Sequence, residues 1–435
     1  MNNRSEFIRI GSAGLLIKAV ATALGFASAV ILARELGVEG FGLYTYVFAL
    51  ATVVAIPLQS GLPTLVLRET AKYRQTANWA RLVGLWRWST LLVATFAVLA
   101  AIVALGFLWQ LSEKLTVVEY GTYLSALALI PLIALGNLRG AALRGLGKVL
   151  TGQLPETILR PALLIVLMLA SSTVLQRNMN ASNAMLLHVV ASGIAFMIGG
   201  AMLWRSRPAE LRNIGTAEYD HKAWLRAVAP LALVTGVALI NSQIDILMLG
   251  WLRNNADVAI YRIALSTASL VGFGMQAVTS VIAPNFARLY AAGQIDAIQR
   301  LLRLAAASAT ALAIPVILVI YLFGHEILGF AFGPEFSAAT VPLAILAVAV
   351  LVNSMIGSVE ALLKMTGHER DLLYTAATVL FIKMLLNFPL IKFYGVAGAA
   401  FGSAISMVVF ALALRRLAQL RLGVAAGLGA LRKLK

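Results

Sequence analysis

Long apolar runs recur along this chain, each broken by a short polar stretch before the next begins. A run of about 18 or more mostly apolar residues is long enough to cross a bilayer as a helix. Twelve such spans are predicted. The first half supplies 11–33, 41–67, 85–109, 121–143, 158–176 and 184–204; the second supplies 227–252, 262–283, 304–323, 340–363, 372–391 and 398–417. A β-barrel would show segments of about ten residues with alternating polarity, and the chain has none. The pattern predicts an all-α integral membrane protein of about 12 transmembrane helices in two pseudo-symmetric six-helix bundles, both termini cytoplasmic.

The pseudo-symmetry rests on echoes between the halves. Asn241–Tyr261, NSQIDILMLGWLRNNADVAIY, ends an apolar run with a short polar break and restarts at Val-Ala-Ile-Tyr. Ala33–Tyr46, ARELGVEGFGLYTY, does the same, and Tyr44 and Tyr261 lie 217 positions apart, half the chain. Leu143-Arg144-Gly145-Leu146-Gly147-Lys148 is matched by Leu363-Lys364-Met365-Thr366-Gly367-His368. Asn285–Arg303 reads as an amphipathic interfacial helix, with Arg68–Arg81 as its counterpart. The expected organisation is an N-terminal half 1–204, a cytoplasmic linker 205–226 with a short surface helix near Trp224, and a C-terminal half 227–435. Parallel repeats of this kind are used by transporters, which place substrate between the halves.

Composition agrees: 60% hydrophobic and 12% charged residues, with a mean hydropathy of +0.88, exclude an ordinary soluble domain. The net charge of +17 raises the question of nucleic acid, but its distribution answers it. Basic residues crowd alternate loops, from Arg4 and Arg9 through Arg68, Lys72, Arg74 and Arg81 to Arg205, Arg207, Arg212 and the tail Arg432, Lys433 and Lys435. The opposite loops hold little beyond Arg34, Lys114, Arg177, Arg253, Arg262 and Lys392, among many acids. This is the positive-inside pattern of a cationic cytoplasmic face against anionic lipid, so no nucleic-acid partner is expected. Trp86, Trp88, Trp109, Trp204 and Trp251 fall at span ends, as an aromatic belt requires. The N-terminus reads as an uncleaved first span, because Lys18 interrupts its apolar run. With no cysteine there is no disulfide framework or thiolate metal site.

Intramembrane charge costs about 2.5–3.5 kcal/mol on insertion scales and so marks candidate sites. Lys18, Lys383, Arg139 and Arg160 are the candidate substrate-cavity cations; snorkelling is the competing reading for Arg139 and Arg160. Asp245, Glu360 and Asn241 are the candidate ion-coupling or cavity residues. Asp245 sits within about two dozen apolar residues and could instead bond to Asn241 one turn earlier, whereas Glu360 precedes Lys364 by four, the favourable order for a helix ion pair. Pro57-Leu58-Gln59-Ser60-Gly61-Leu62-Pro63 predicts a bend. The four histidines show no metal-binding spacing, Gly147-Lys148 lacks the rest of a P-loop, and the short outer loops gather no acid–base cluster. Neither cofactor nor catalysis is expected, although a polytopic enzyme of cell-envelope polysaccharide assembly is the reading from another class.

Several of these segments resemble the polysaccharide transporter family, the O-antigen-type lipid-linked oligosaccharide flippases of the multidrug/oligosaccharidyl-lipid/polysaccharide exporter superfamily. They are Ile244–Gly250 with Val258–Ala264, Ala33–Gly37 with Gly40–Tyr44, Met365–His368 and Tyr394–Ala400; Ala259 stands where a typical member has Gly. The resemblance implies alternating access in the bacterial inner membrane. The implied substrate is an undecaprenyl-diphosphate-linked glycan for O-antigen, capsule or exopolysaccharide, with a polysaccharide polymerase and chain-length machinery as further partners. A drug/organic-cation antiporter of the same superfamily is the alternative, disfavoured by the basic lean of the intramembrane charges. Related lipid II flippases commonly have fourteen spans, two more than predicted here.

Overall fold

The computed structural model describes residues 2–173, 179–213 and 216–427, with side chains from Gly14 onward apart from Leu58, Arg212 and Asn213. The predicted end of the fifth span at 174–176, and Arg177, Arg432, Lys433 and Lys435, lie outside the described residues. Everything described is helix, turn or connection. The helices are α1 (Asn2–Val54), α2 (Ile56–Gln59), α3 (Leu62–Gln75), α4 (Trp79–Leu111), α5 (Val117–Gly145), α6 (Val149–Leu154) and α7 (Arg160–Thr173). They continue with α8 (Ala181–Arg205), α9 (His221–Leu252), α10 (Asn255–Ala291), α11 (Ile295–Phe332), α12 (Thr340–Ile356), α13 (Val359–Met365) and α14 (Glu369–Leu422).

Ten stretches among the described residues are long and apolar enough to cross a membrane. Two of them, α1 and α14, are each interrupted by a glycine outside helical geometry: Gly37 (φ 64°, ψ −179°) and Gly395 (φ 56°, ψ −130°). Counting both sides of each break gives the twelve spans that hydropathy predicts. The second span bends where the two prolines suggest, with Gly61 at φ 77° between α2 and α3.

Chain contacts divide the molecule into two compact units, Ala23–Gln243 and Ile244–Lys435 with Met1–Thr22. In the first, α5 packs against α3, α4 and α8. Gly140 and Gly152 let α5 and α6 meet backbone to backbone, since a Cβ on either would lie 2.5–2.6 Å from the other's carbonyl oxygen. In the second, α10, α11, α12 and α14 enclose a core around Phe286, Ile298, Leu302, Leu362 and Leu363.

The repeat is visible in the turns. The α5 and α13 ends close alike: Lys148 N–H donates to Leu143 O and His368 N–H to Leu363 O, both at 3.0 Å, around Gly147 (φ 81°) and Gly367 (φ 82°). The α3–α4 and α10–α11 turns form a second pair. Asn78 N–H reaches Tyr73 O at 2.9 Å and Gln294 N–H reaches Leu289 O at 3.0 Å, around Ala77 (φ 52°) and Gly293 (φ 68°).

Two sequence expectations are corrected. Asn285–Arg303 is not an interfacial helix: it is the end of α10, a turn and the start of α11. Its apolar positions Phe286, Ile298 and Leu302 are fully buried in the unit's core, so the amphipathic face meets protein. Nor is there a separate surface helix near Trp224. That residue lies in the first turn of α9, 2% exposed, donating to Tyr73 Oη at 3.1 Å and packed on Trp88.

The paired turns make a stability prediction. Left-handed geometry costs a side-chain-bearing residue about 1 kcal/mol that glycine does not incur. Ala77→Gly should therefore raise the thermal unfolding midpoint of the purified protein. Gly293→Ala, where an added Cβ would meet no atom within 4 Å, should lower it by a similar free energy. Equal midpoints for both variants and the parent would show that neither turn depends on that conformation.

Candidate functional site

Asp245 is 6% exposed, on α9 about two turns before its end. Its carboxylate is met from three directions. Lys383 Nζ lies 2.8 Å from Oδ2, and Asn387 Nδ2 donates to Oδ1 at 2.7 Å. Ser403 Oγ donates to Oδ2 at 2.7 Å and Tyr261 Oη at 2.9 Å, with Tyr261 also 3.1 Å from Ser403. Lys383 and Asn387 are one helical turn apart on the first leg of α14, so they share a face. The break at Gly395 turns the chain back and brings Ser403, on the second leg, to the same carboxylate.

The two legs of α14 can approach this closely because Gly398 and Gly402 lack side chains. A Cβ on Gly398 would sit 1.9 Å from Leu390 O, and one on Gly402 1.8 Å from Asn387 Oδ1. The Gly398-x-x-x-Gly402 face thus packs within the chain. A desolvated ion pair holds only when its remaining hydrogen-bonding capacity is met. Asp245 satisfies that condition with four partners, so the structure joins a candidate cavity cation, Lys383, to a candidate coupling carboxylate.

A second buried cluster lies in the other unit. Arg139, 7% exposed on α5, donates through Nη2 to Glu156 Oε1 at 2.9 Å and through Nη1 to Phe196 O. Arg160 Nη1 reaches Glu156 Oε2 at 3.5 Å. Glu156 stands in a π-turn, Pro155–Leu159, where Arg160 N–H reaches back five residues to Pro155 O. Pro161 has no N–H to continue the α-helical ladder, and the widened turn accommodates that loss. Gly136 and Gly199 flank the pair: a Cβ on either would collide with Glu156 Oε1 or the Arg139 guanidinium at 2.2–2.4 Å.

The other candidates lie apart. Lys18 is exposed, Asn241 is exposed, and Glu360 is exposed and paired with Lys364 Nζ at 2.6 Å, the helix-end ion pair that their spacing favours. Sequence reasoning missed Glu156, which fell just outside a predicted span. It also missed the hydrogen bond between Tyr44 Oη and buried His188 Nδ1 at 2.6 Å, for which the Tyr44–Tyr261 echo was the available signal.

Residues 11–290 match the family model described as polysaccharide biosynthesis protein. The chain belongs to that family. Residues 230–390 also match the MatE family model. Two proteins of Haloferax volcanii are similar: the probable low-salt glycan biosynthesis flippase Agl15, 29% identical over 173 residues, and the probable flippase AglR, 28% over 172. Each match covers 39% of this chain and 36% of the relative, so the chain spans about a third of the length of either. Among solved structures, an inward-facing MATE family transporter of the MOP superfamily superposes with a TM-score of 0.75 at 15% identity, covering 93% of this chain and 94% of that one. The lipid II flippase MurJ, inward closed, gives 0.72 at 13% identity, covering 93% and 87%. These likenesses establish the fold of this family member as that of an all-α integral membrane protein.

Breaking the Asp245 cluster from one side should be costly and from both sides mild. Lys383→Met strands a buried carboxylate and should destabilise the protein by about 3–5 kcal/mol. The double variant Lys383→Met with Asp245→Leu should recover most of that loss. A double-mutant cycle of unfolding free energies in detergent measures the coupling; additivity of the single effects would show that the two side chains do not act as a pair.

Proposed function

We propose that this protein is a flippase that moves an undecaprenyl-diphosphate-linked oligosaccharide from the cytoplasmic to the periplasmic leaflet of a bacterial inner membrane by alternating access. Both termini lie in the cytoplasm in this reading, and the halves 1–204 and 227–435 are the units that alternate about the linker 205–226. Surface polysaccharide polymerase and chain-length machinery are its downstream partners. The family match and the glycan flippases among the relatives support a transporter of a lipid-linked glycan rather than an enzyme.

The observation that carries the substrate class is the charge balance inside the spans. Buried Asp245 and half-buried Glu156 are each already matched by cations, and Glu156 by two. Lys18 adds a further exposed ammonium. A diphosphate is therefore better accommodated than an organic cation, because guanidinium and ammonium groups bind phosphate through charge-assisted hydrogen bonds. Lys18, Arg139 and Arg160 are the cations offered to it, and Lys383 acts through Asp245. The MatE match over 230–390 keeps the drug antiporter as the second reading, in which Asp245, Glu360 and Asn241 would serve a coupling ion or the cargo.

Deleting the gene separates these readings. Complete lipid-linked repeat units should accumulate facing the cytoplasm while surface polysaccharide disappears. Normal polysaccharide with heightened sensitivity to cationic drugs would establish the antiporter instead, and incomplete units would establish the enzyme. In the complemented strain, Lys18→Gln should lower the flipping rate roughly tenfold or more, the loss of one charge-assisted hydrogen bond of ~1.5–3 kcal/mol. An undiminished rate would remove Lys18 from the path.

A further inference from the structure

The unit Ala23–Gln243 contains a cavity of about 1090 Å³ that meets the Arg139–Glu156 cluster only at Arg139. It is formed where α8 ends, α4 begins and the connection to α9 passes between them. Its volume is at the top of the ~300–1,000 Å³ range of drug-sized sites. Four guanidinium groups line it: Arg87, Arg139, Arg205 and Arg207. Arg87, Arg205 and Arg207 are exposed and form no ion pair among the described residues. Arg139 is engaged with Glu156, yet its buried Nε has no hydrogen-bond partner there. Of the loop carboxylates, Glu218 pairs with Arg81 at 3.3 Å, and neither it nor Glu210 nor Asp220 forms an ion pair with the three open arginines among the described residues.

Apart from Arg139, which lies beside Phe196, the lining turns from charged to apolar along each helix. Along α4 the wall runs from Arg87 to Leu91 and Ala94, one turn or so apart, and back along α8 from Arg205 to Leu203 and Gly200. Trp86 and Trp204 lie where the charged and apolar parts meet, and Trp204 is 68% exposed, an interfacial position. The complementary ligand has a phosphate at one end and hydrocarbon at the other. A free phosphate or nucleotide would leave the apolar wall without a partner, and a zwitterionic lipid would bring its own cation to three arginines. Basic pockets between membrane helices are suited to anionic lipid head groups.

We propose that this cavity holds a resident anionic phospholipid, its phosphate on Arg87, Arg205 and Arg207 and its upper acyl chains against the α4–α8 wall. The site borders the Glu156 cluster through Arg139, but the three arginines that hold the phosphate belong to neither ion cluster and are not among the cations offered to the transported substrate.

Native mass spectrometry of the full chain in detergent tests this, with phosphatidylglycerol or phosphatidylcholine added at equal mole ratios. One phosphatidylglycerol per chain should be retained at least tenfold better than phosphatidylcholine. Each of Arg87→Gln, Arg205→Gln and Arg207→Gln should weaken retention about fivefold, as about 1 kcal/mol per basic side chain near anionic lipid implies, and the triple variant should abolish the preference. These side chains are exposed and unpaired, so the fold should not depend on them. Gly200→Leu keeps the charge and fills space where an added Cβ meets no atom within 4 Å, and it should also expel the lipid. Equal retention of the two lipids would overturn the proposal, as would a preference that survives either the triple variant or Gly200→Leu. One-for-one displacement of phosphatidylglycerol by a polyprenyl-diphosphate lipid would overturn it too, by assigning the cavity to the transported substrate.

Discussion

The structure depends on one constraint: a charge placed among apolar helices must be fully matched where it stands. Hydrocarbon supplies no solvent for Asp245, and its own helix supplies no counter-ion. The carboxylate is tolerated because α10 and both legs of α14 converge on it with Tyr261, Lys383, Asn387 and Ser403. That convergence in turn requires the chain to reverse at Gly395 and the two legs of α14 to come into contact at Gly398 and Gly402. The ion pair and the glycine contacts are therefore one device. Enlarging either glycine would separate the legs and withdraw two of the carboxylate's partners. The cluster around Glu156 obeys the same rule with different means, a π-turn and two glycines that leave room for a guanidinium.

The two halves share a backbone plan but not a chemistry. Tyr44 and Tyr261 occupy equivalent places 217 residues apart, and each hydroxyl bonds to the sixth span of its own half, at His188 and at Ser403. The charges do not follow. At the same offset Asp245 corresponds to Ser28, which donates to Leu24 O on its own helix, and at the offset of 220 set by Gly147 and Gly367 Lys383 corresponds to Leu163 and Asn387 to Leu167. In the other direction, at that offset of 220, Arg139, Glu156 and Arg160 correspond to Val359, Ala376 and Leu380. Each half thus has its own ion cluster at positions the other keeps uncharged. A duplicated scaffold tolerates this because neutral side chains pack at those places without any compensating partner.

How legible each feature was follows from the range over which its signal acts. The spans were legible because hydropathy is a local property, and so was the Glu360–Lys364 pair, four residues apart on one helix. The repeat was legible as paired motifs, and the matched turn geometry at Gly147 and Gly367 gives those motifs a physical meaning. Asp245 and Lys383 were each marked as intramembrane charges, but nothing local says that residues 138 positions apart meet. That depends on the reversal at Gly395. Asn285–Arg303 failed for a related reason, since a 3.6-residue apolar stripe reads the same against a lipid interface as against a neighbouring helix. Glu156 was invisible because its proximity to Arg139 comes from a turn geometry that hydropathy does not encode.

Burial reorders the candidate cations in a way that their residue types alone could not. Lys383 is committed to Asp245, and turning it toward an anionic ligand would leave that carboxylate without its counter-charge in a site 6% exposed. Such a site opposes rearrangement, because the penalty for an unmatched buried charge exceeds what one new contact to phosphate returns. Lys383 is thereby better suited to fixing the geometry of its unit than to touching cargo. Arg139 is intermediate, held by Glu156 and Phe196 but retaining an unpaired Nε. Lys18, Arg87, Arg205 and Arg207 are exposed and enter no ion pair among the described residues, so an anion can reach them without dismantling anything. In a membrane protein with so few intramembrane acids, the cations that remain open are the better guide to where an anionic ligand binds, and those most deeply buried are the better guide to what holds the helices in place.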